Sequence, residues 1–208
     1  MKLEVDAVMR IAPVIPVIVV ERAADAAPLA RALVAGGLRA LEVTLRTAAG
    51  LDAIRAMAAV DGAVVGAGTV LDAAQFEAAV AAGARFVVSP GYADEVAAAA
   101  RASGVPWLPG VATATEIMRA RAAGLRRLKF FPAESSGGVA ALKAFSSVFP
   151  DVAFCPTGGV GPSNAAQYLA LPNVVCVGGS WVAPAEAMAA GGWSRIEQLA
   201  ADASRLRG

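Results

Sequence analysis

An Ala-rich helical stretch that closes at a glycine, followed by an apolar strand, recurs at intervals of roughly twenty residues along the chain. The closures are Ala35-Gly36-Gly37, Ala82-Gly83, Ser103-Gly104 and Ala123-Gly124, and each reads as a helix C-terminal cap. The pattern predicts strands over residues 14–20, 40–45, 63–69, 86–89, 106–110, 127–131, 152–157 and 174–178. Helices fill the intervals, several of them starting after Asp72, Asp94, Thr113 and Ser163, and a short helix is expected around residues 2–10. Eight alternating βα units in 208 residues predict an α/β fold, a parallel (β/α)8 barrel with a short N-terminal helix. A doubly wound open sheet would want a Gly-rich turn after the first strand. The chain there reads Val19-Val20-Glu21-Arg22-Ala23, so the barrel is preferred. No linker, charge run or low-complexity tail divides residues 1–208, which are expected to form one barrel domain.

Composition removes whole classes of chemistry. The chain has no histidine, which excludes His-based triads, imidazole proton shuttles and the usual His-ligated metal centres. No metal and no cofactor are expected. The net charge of +1 comes without a basic patch, so nucleic acid is not an expected partner. The apolar run 11–20 contains Pro13 and Pro16 and is too short to span a bilayer, and the acidic opening with Glu4 and Asp6 does not read as a signal peptide. No membrane partner is expected. Cys155 and Cys176 form no CxxC motif and fit a reduced, cytoplasmic compartment as small buried residues. Trp107, Trp181 and Trp193 are expected to pack rather than to stack on a ligand. Hydrophobic residues make up 57% of the chain and mean hydropathy is +0.59, a surplus that predicts apolar surface covered by further subunits.

Within this frame one lysine stands out. The chain has three, Lys2, Lys129 and Lys143, and Lys129 lies inside the strand Leu128-Lys129-Phe130-Phe131-Pro132. Alternation puts Lys129 and Phe131 on one face and Leu128 and Phe130 on the other. Burial disfavours the charged form of an amine, and a neutral amine is the nucleophile of Schiff-base enzymes. A lysine that snorkels from the strand end, or meets a buried carboxylate, would need no such chemistry; both readings stand at this point. On the second strand Glu42, Thr44 and Arg46 share a face that can turn into the barrel. Glu42 and Arg46 are about 13 Å apart along it, too far for a direct ion pair. In a barrel the active site lies at the C-terminal strand ends, and the last two loops commonly hold phosphate on backbone N–H groups and helix N-termini. Here those loops read Thr157-Gly158-Gly159 and Gly178-Gly179-Ser180, a candidate phosphate cradle.

Six runs together carry a more specific signal: 41–47 (LEVTLRT), 65–70 (VGAGTV), 88–91 (VSPG), 128–134 (LKFFPAE), 154–159 (FCPTGG) and 177–181 (VGGSW). In order and spacing they resemble the bacterial 2-keto-3-deoxy-6-phosphogluconate (KDPG) aldolase / 4-hydroxy-2-oxoglutarate (KHG) aldolase family, over about residues 14–181. The resemblance implies a lyase on a (β/α)8 barrel, a homotrimeric class I aldolase cleaving a phosphorylated 2-keto sugar acid to pyruvate and glyceraldehyde 3-phosphate in the Entner–Doudoroff route. It implies that Lys129 forms the imine, Glu42 moves protons, and Arg46 and Thr69 receive the pyruvyl carboxylate. Pro90, Phe131 and Thr157 would line the pocket, and Gly158, Gly159, Gly179 and Ser180 would hold the phosphate. The galactonate-derived phosphate ester and 4-hydroxy-2-oxoglutarate are alternative substrates. A sugar-phosphate isomerase or epimerase would keep the Gly loops without needing Lys129, and a non-catalytic trimeric phosphate-binding barrel would need neither Lys129 nor Glu42.

Overall fold

The computed structural model describes residues 3–206. Nine strands follow in order: β1 (Val14–Ile18), β2 (Ala40–Thr44), β3 (Val64–Gly68), β4 (Phe86–Val88), β5 (Trp107–Leu108), β6 (Gly110–Val111), β7 (Arg127–Phe130), β8 (Ala153–Pro156) and β9 (Val177–Gly179). All pairings are parallel, in the orders β5-β4-β3-β2-β1-β9 and β6-β7-β8. Two features join these groups into one barrel. β5 and β6 are halves of a single stave that Pro109 interrupts, the first paired with β4 and the second with β7. On the other side, isolated parallel bridges Phe154↔Val174 and Thr157↔Gly178 link β8 to β9. The eight expected staves are therefore present. The break in the fifth has a direct cause, because proline has no N–H to donate to a ladder. The eighth was expected over 174–178, but the ladder proper is Val177–Gly179 and Val174 contributes a single bridge.

Strands β1, β2 and β3 are buried at every position, as expected when helices cover the outside and side chains fill the inside. Outward residues such as Ile18, Leu41, Val43, Leu128 and Phe130 pack on the helices in the main core. A second apolar cluster fills the barrel's lower interior with Ile15, Ala40, Val64, Phe86 and Cys155. Val8 and Met9 of the N-terminal helix (Val5–Met9) join that cluster and plug the bottom of the barrel. The rest of the expected 2–10 helix includes Lys2, which lies outside the described residues.

The helix ends follow the glycines as read, with left-handed φ at Gly37, Gly83, Gly104 and Gly124. Two expected starts hold: Asp72 accepts from the Gln75 N–H, and Thr113 forms a reciprocal capping box with Glu116. Two shift. Asp94 is already inside its helix (Asp94–Ser103), and the residue that precedes Ala165–Leu169 is Asn164 rather than Ser163. Cys155 and Cys176 are both buried, and Trp107 packs on Tyr92 with its indole N–H on Ser89 Oγ at 2.9 Å.

Candidate active site

Lys129 points into the barrel, since its neighbours Leu128 and Phe130 are buried in the outer core. Its Nζ donates to Glu42 Oε1 at 3.1 Å, and each side chain is only 4% exposed. The Phe131 ring lies under the ammonium, 5.2 Å from Nζ to the ring centroid. Glu42 sits between Val17 of β1 and Gly66 of β3 in the ladder register. Its carboxylate occupies the space beside Gly68, where a Cβ would stand 2.3 Å from Oε1. Only glycine at 68 lets the carboxylate reach this depth. Two desolvated charges contribute little net stability, and an apolar pair of the same volume is often at least as stable. The pair therefore points to chemistry rather than to packing.

The other expected site residues are arranged around this pair. Gly110, the register partner of Lys129, presses on the carbonyl of Pro90, which stands 2.0 Å from where a Cβ would be. Cys155 is the partner of Lys129 on the other side, and Thr157, 6% exposed, follows two residues later on the same face. At the rim Arg46 Nε donates to Thr69 Oγ1 at 3.2 Å. Thr69 holds φ at 59°, a left-handed conformation that a β-branched residue rarely adopts. Arg46 and Glu42 make no direct pair; one meets Thr69 and the other Lys129. Thr44, on the same face as Glu42, donates to the Ile18 carbonyl at 3.0 Å and so stitches β2 to β1.

Across the mouth lie the two glycine turns. Gly158 and Gly159 have φ of 98° and 77°, and among the described residues neither N–H is paired with a backbone acceptor. Gly179 ends β9 beside them and Ser180 follows it, joined through the Thr157↔Gly178 bridge. Past Ser180 a cavity of about 510 Å³ is walled by Val17, Val20, Arg22, Pro184 and Met188; of the expected site residues, Ser180 is the one that lines it. The helices that follow the turns, Ala165–Leu169 and Ala185–Ala189, have five residues each. They are too short for the helix-terminus contribution expected of these loops, so any anion here rests on the turn N–H groups and Ser180.

Three residues of this region went unread in the sequence. Asn164 Nδ2 donates to the Gly159 carbonyl at 3.0 Å, while its Oδ1 accepts from the Gly161 N–H at 2.8 Å. Tyr168, fully buried, donates its hydroxyl to the Glu134 carboxylate. Burial and, after it, Glu134 push the Tyr168 hydroxyl well above the ordinary tyrosine range. Glu134 lay inside the lysine run, but no local pattern joins it to a tyrosine thirty-four residues on. Among the described residues, no group of three or more His, Cys, Asp or Glu side chains could hold a metal ion, and no helix is long and apolar enough to cross a membrane.

The profile of the family described as "Aldolase: KDPG and KHG aldolase" matches residues 5–199. The chain belongs to this family. It is 56% identical over 200 residues to the 2-dehydro-3-deoxy-phosphogluconate aldolase of Pseudomonas aeruginosa, covering 96% of this chain and 91% of that one. Its structure superposes on the 2-keto-3-deoxy-6-phosphogluconate aldolase of Zymomonas mobilis ZM4 with 3-phosphoglycerate, at a TM-score of 0.94 and 51% identity, over 100% of this chain and 98% of that one. The KDPG aldolase of Legionella pneumophila, with pyruvate captured as a covalent carbinolamine intermediate, superposes at 0.95 with 48% identity, over 98% and 100% of the two chains. The family thus has members with the same barrel and a covalent pyruvate chemistry. In this chain the inward Lys129–Glu42 pair sets an amine beside a carboxylate inside that barrel.

Proposed function

We propose that this chain is a class I aldolase that cleaves 2-keto-3-deoxy-6-phosphogluconate to pyruvate and glyceraldehyde 3-phosphate through an imine on Lys129. The observation that carries the reading is the buried Lys129–Glu42 pair in a barrel of this family. Glu42, at hydrogen-bond distance, takes the ammonium proton and frees the amine. The amine attacks the C2 carbonyl, Glu42 returns its proton to the carbinolamine hydroxyl, and loss of water leaves an iminium beside a free Glu42 carboxylate. Glu42 then accepts the C4 hydroxyl proton as the C3–C4 bond breaks, and the bond electrons pass into the iminium to give an enamine. Protonation at C3 and hydrolysis release pyruvate. Arg46, held by Thr69, receives the pyruvyl carboxylate with Thr69 itself. Pro90, Phe131 and Thr157 line the wall around the reacting carbons, and no metal or cofactor enters any step. Gly158, Gly159, Gly179 and Ser180 take the phosphate at the far side of the mouth.

The same reading makes residues 1–208 one domain, acting in the cytoplasm as a homotrimer. Leu71, Met118 and Val148 are more than half exposed, which supports subunit contact on apolar surface. Light scattering on the purified chain gives its mass directly. For the reaction, cleavage rates for 2-keto-3-deoxy-6-phosphogluconate, its galactonate counterpart and 4-hydroxy-2-oxoglutarate are measured side by side. The first is expected to have the highest kcat/KM. Equal rates with the unphosphorylated acid would contradict the phosphate assignment, and no cleavage of any would favour a non-catalytic barrel.

A further inference from the structure

We infer that Tyr168 and Glu134 form a positioning pair that sets the distance between Lys129 and the Gly158–Gly159 turn. The inference rests on the reading of that turn as the phosphate cradle. Glu134 follows Lys129 by five residues, in the loop that continues β7. Its N–H donates to the Gly158 carbonyl at 3.1 Å, and the preceding Ala133 N–H donates to the Thr157 carbonyl at 2.8 Å. Its side chain covers Gly159 so closely that a Cβ there would stand 2.5 Å from Glu134 Cγ. The loop after Lys129 and the glycine turn are thus held in one piece.

An exposed carboxylate beside an anion cradle would, by charge alone, weaken phosphate binding. Its retention needs another reason, and Tyr168 supplies one. The tyrosine has no exposed surface, and a buried hydroxyl must find an acceptor. It finds the Glu134 carboxylate, in a niche where Gly138 has no side chain: a Cβ at 138 would be 3.1 Å from the hydroxyl and 3.4 Å from Glu134 Oε1. Tyr168 belongs to the helix Ala165–Leu169, and Asn164 just before it holds the Gly159 carbonyl. One short helix therefore clamps both sides of the turn. The consequence is a fixed span between the imine carbon and the far anion, so that binding of the phosphoryl end aligns the reacting end.

The test compares Tyr168→Phe, Glu134→Ala and Glu134→Gln in the full chain. The readout is the ratio of kcat/KM for 2-keto-3-deoxy-6-phosphogluconate to that for 4-hydroxy-2-oxoglutarate, with inhibition by inorganic phosphate measured alongside. Tyr168→Phe keeps the ring packing, and Glu134 is at the surface, so neither change removes core volume. Losing a hydrogen bond to a charged group should lower the ratio about tenfold in Tyr168→Phe and in Glu134→Ala. Glu134→Gln, whose amide oxygen still accepts from Tyr168, should recover to within about threefold of the parent. If phosphate inhibits the parent while both disrupting variants keep its ratio, the pair does not position the turn and the cradle reading survives. An equal loss with both substrates marks a structural role only and overturns the inference. Absence of phosphate inhibition in the parent removes the cradle, and the pair's role with it.

Discussion

Lys129 and Glu42 are eighty-seven residues apart in sequence and 3.1 Å apart inside the barrel, where neither side chain is more than 4% exposed. Parallel ladder registry brings them together. Glu42 lies on β2 between β1 and β3, while Lys129 projects across the interior from β7, between β6 and β8. Among the described residues, neither has another charged partner within bonding distance. Each substitution at this pair therefore has a direct reading in terms of proton transfer.

Glu42→Gln keeps the shape and the hydrogen-bonding reach but removes the base. It should still form a reducible adduct with pyruvate, more slowly than the parent, while kcat for cleavage falls by roughly 10²–10⁴. Single-turnover cleavage rates and a thermal transition on the same sample check this. A near-parental rate would move the proton to another carrier, for which a water on Thr157 is the next candidate.

Gly68→Ala tests how Glu42 is seated. The new methyl would need the space 2.3 Å from Oε1, so the carboxylate must swing away from Lys129. Overpacking of this kind costs about 1–3 kcal/mol, seen as a lowered thermal transition. Displacement of the base should also cut cleavage by at least about tenfold. A folded variant with parental kcat would show that the Glu42 position is not critical.

The two anion subsites should separate in kinetics. Ser180→Asp is expected to raise KM for the phosphorylated substrate and to leave exchange of the pyruvate methyl protons nearly intact. Arg46→Ala is expected to do the reverse, weakening pyruvate by about 1.5–3 kcal/mol through loss of a charge-assisted contact. Exchange followed by proton NMR distinguishes the two patterns.

The barrel floor should show a pH signature. Asp6 lies in the plugging helix and is held below the usual carboxylate range, chiefly by its hydrogen bond to Arg10 and then by Arg127 at the start of β7. A depressed folded-state value stabilises the fold above the unfolded value of about 3.9 and loses that stabilisation as pH falls through the folded one. The pair is partly exposed, so screening limits the effect to at most about 1 kcal/mol. Asp6→Asn should therefore lower the midpoint of urea unfolding at pH 7 and lose its effect near pH 2–3. A deficit that persists at low pH would mean the contact is not electrostatic.

Much of the fold was legible because it depends on local signals. Glycine closures at Gly37, Gly83, Gly104 and Gly124 mark helix ends, and continuous apolar runs mark strands covered on both faces. Two-residue alternation set Glu42 on the face that can turn into the barrel and set Lys129 opposite Leu128 and Phe130, while the inward role of Lys129 came from the resemblance of the six runs. What stayed hidden depends on contacts between distant segments. The register that sets Gly68 against Glu42 is one case, and the buried hydroxyl of Tyr168 that ends on Glu134 is another. The strand break at Pro109 was visible as a residue, but its effect was not, because only the barrel fixes which neighbour each half must pair with. The strained φ of Thr69 has no sequence marker at all, since threonine at a strand end ordinarily reads as extended or capping.

The central claim is that Lys129 is the amine that captures the substrate. Borohydride reduction in the presence of pyruvate, followed by peptide mass analysis, tests it most directly. The account predicts loss of activity, one added pyruvyl unit per chain on the peptide carrying Lys129, and neither adduct nor turnover in Lys129→Arg, because arginine stays protonated. Label on Lys143, or activity that survives reduction without any label, would contradict it.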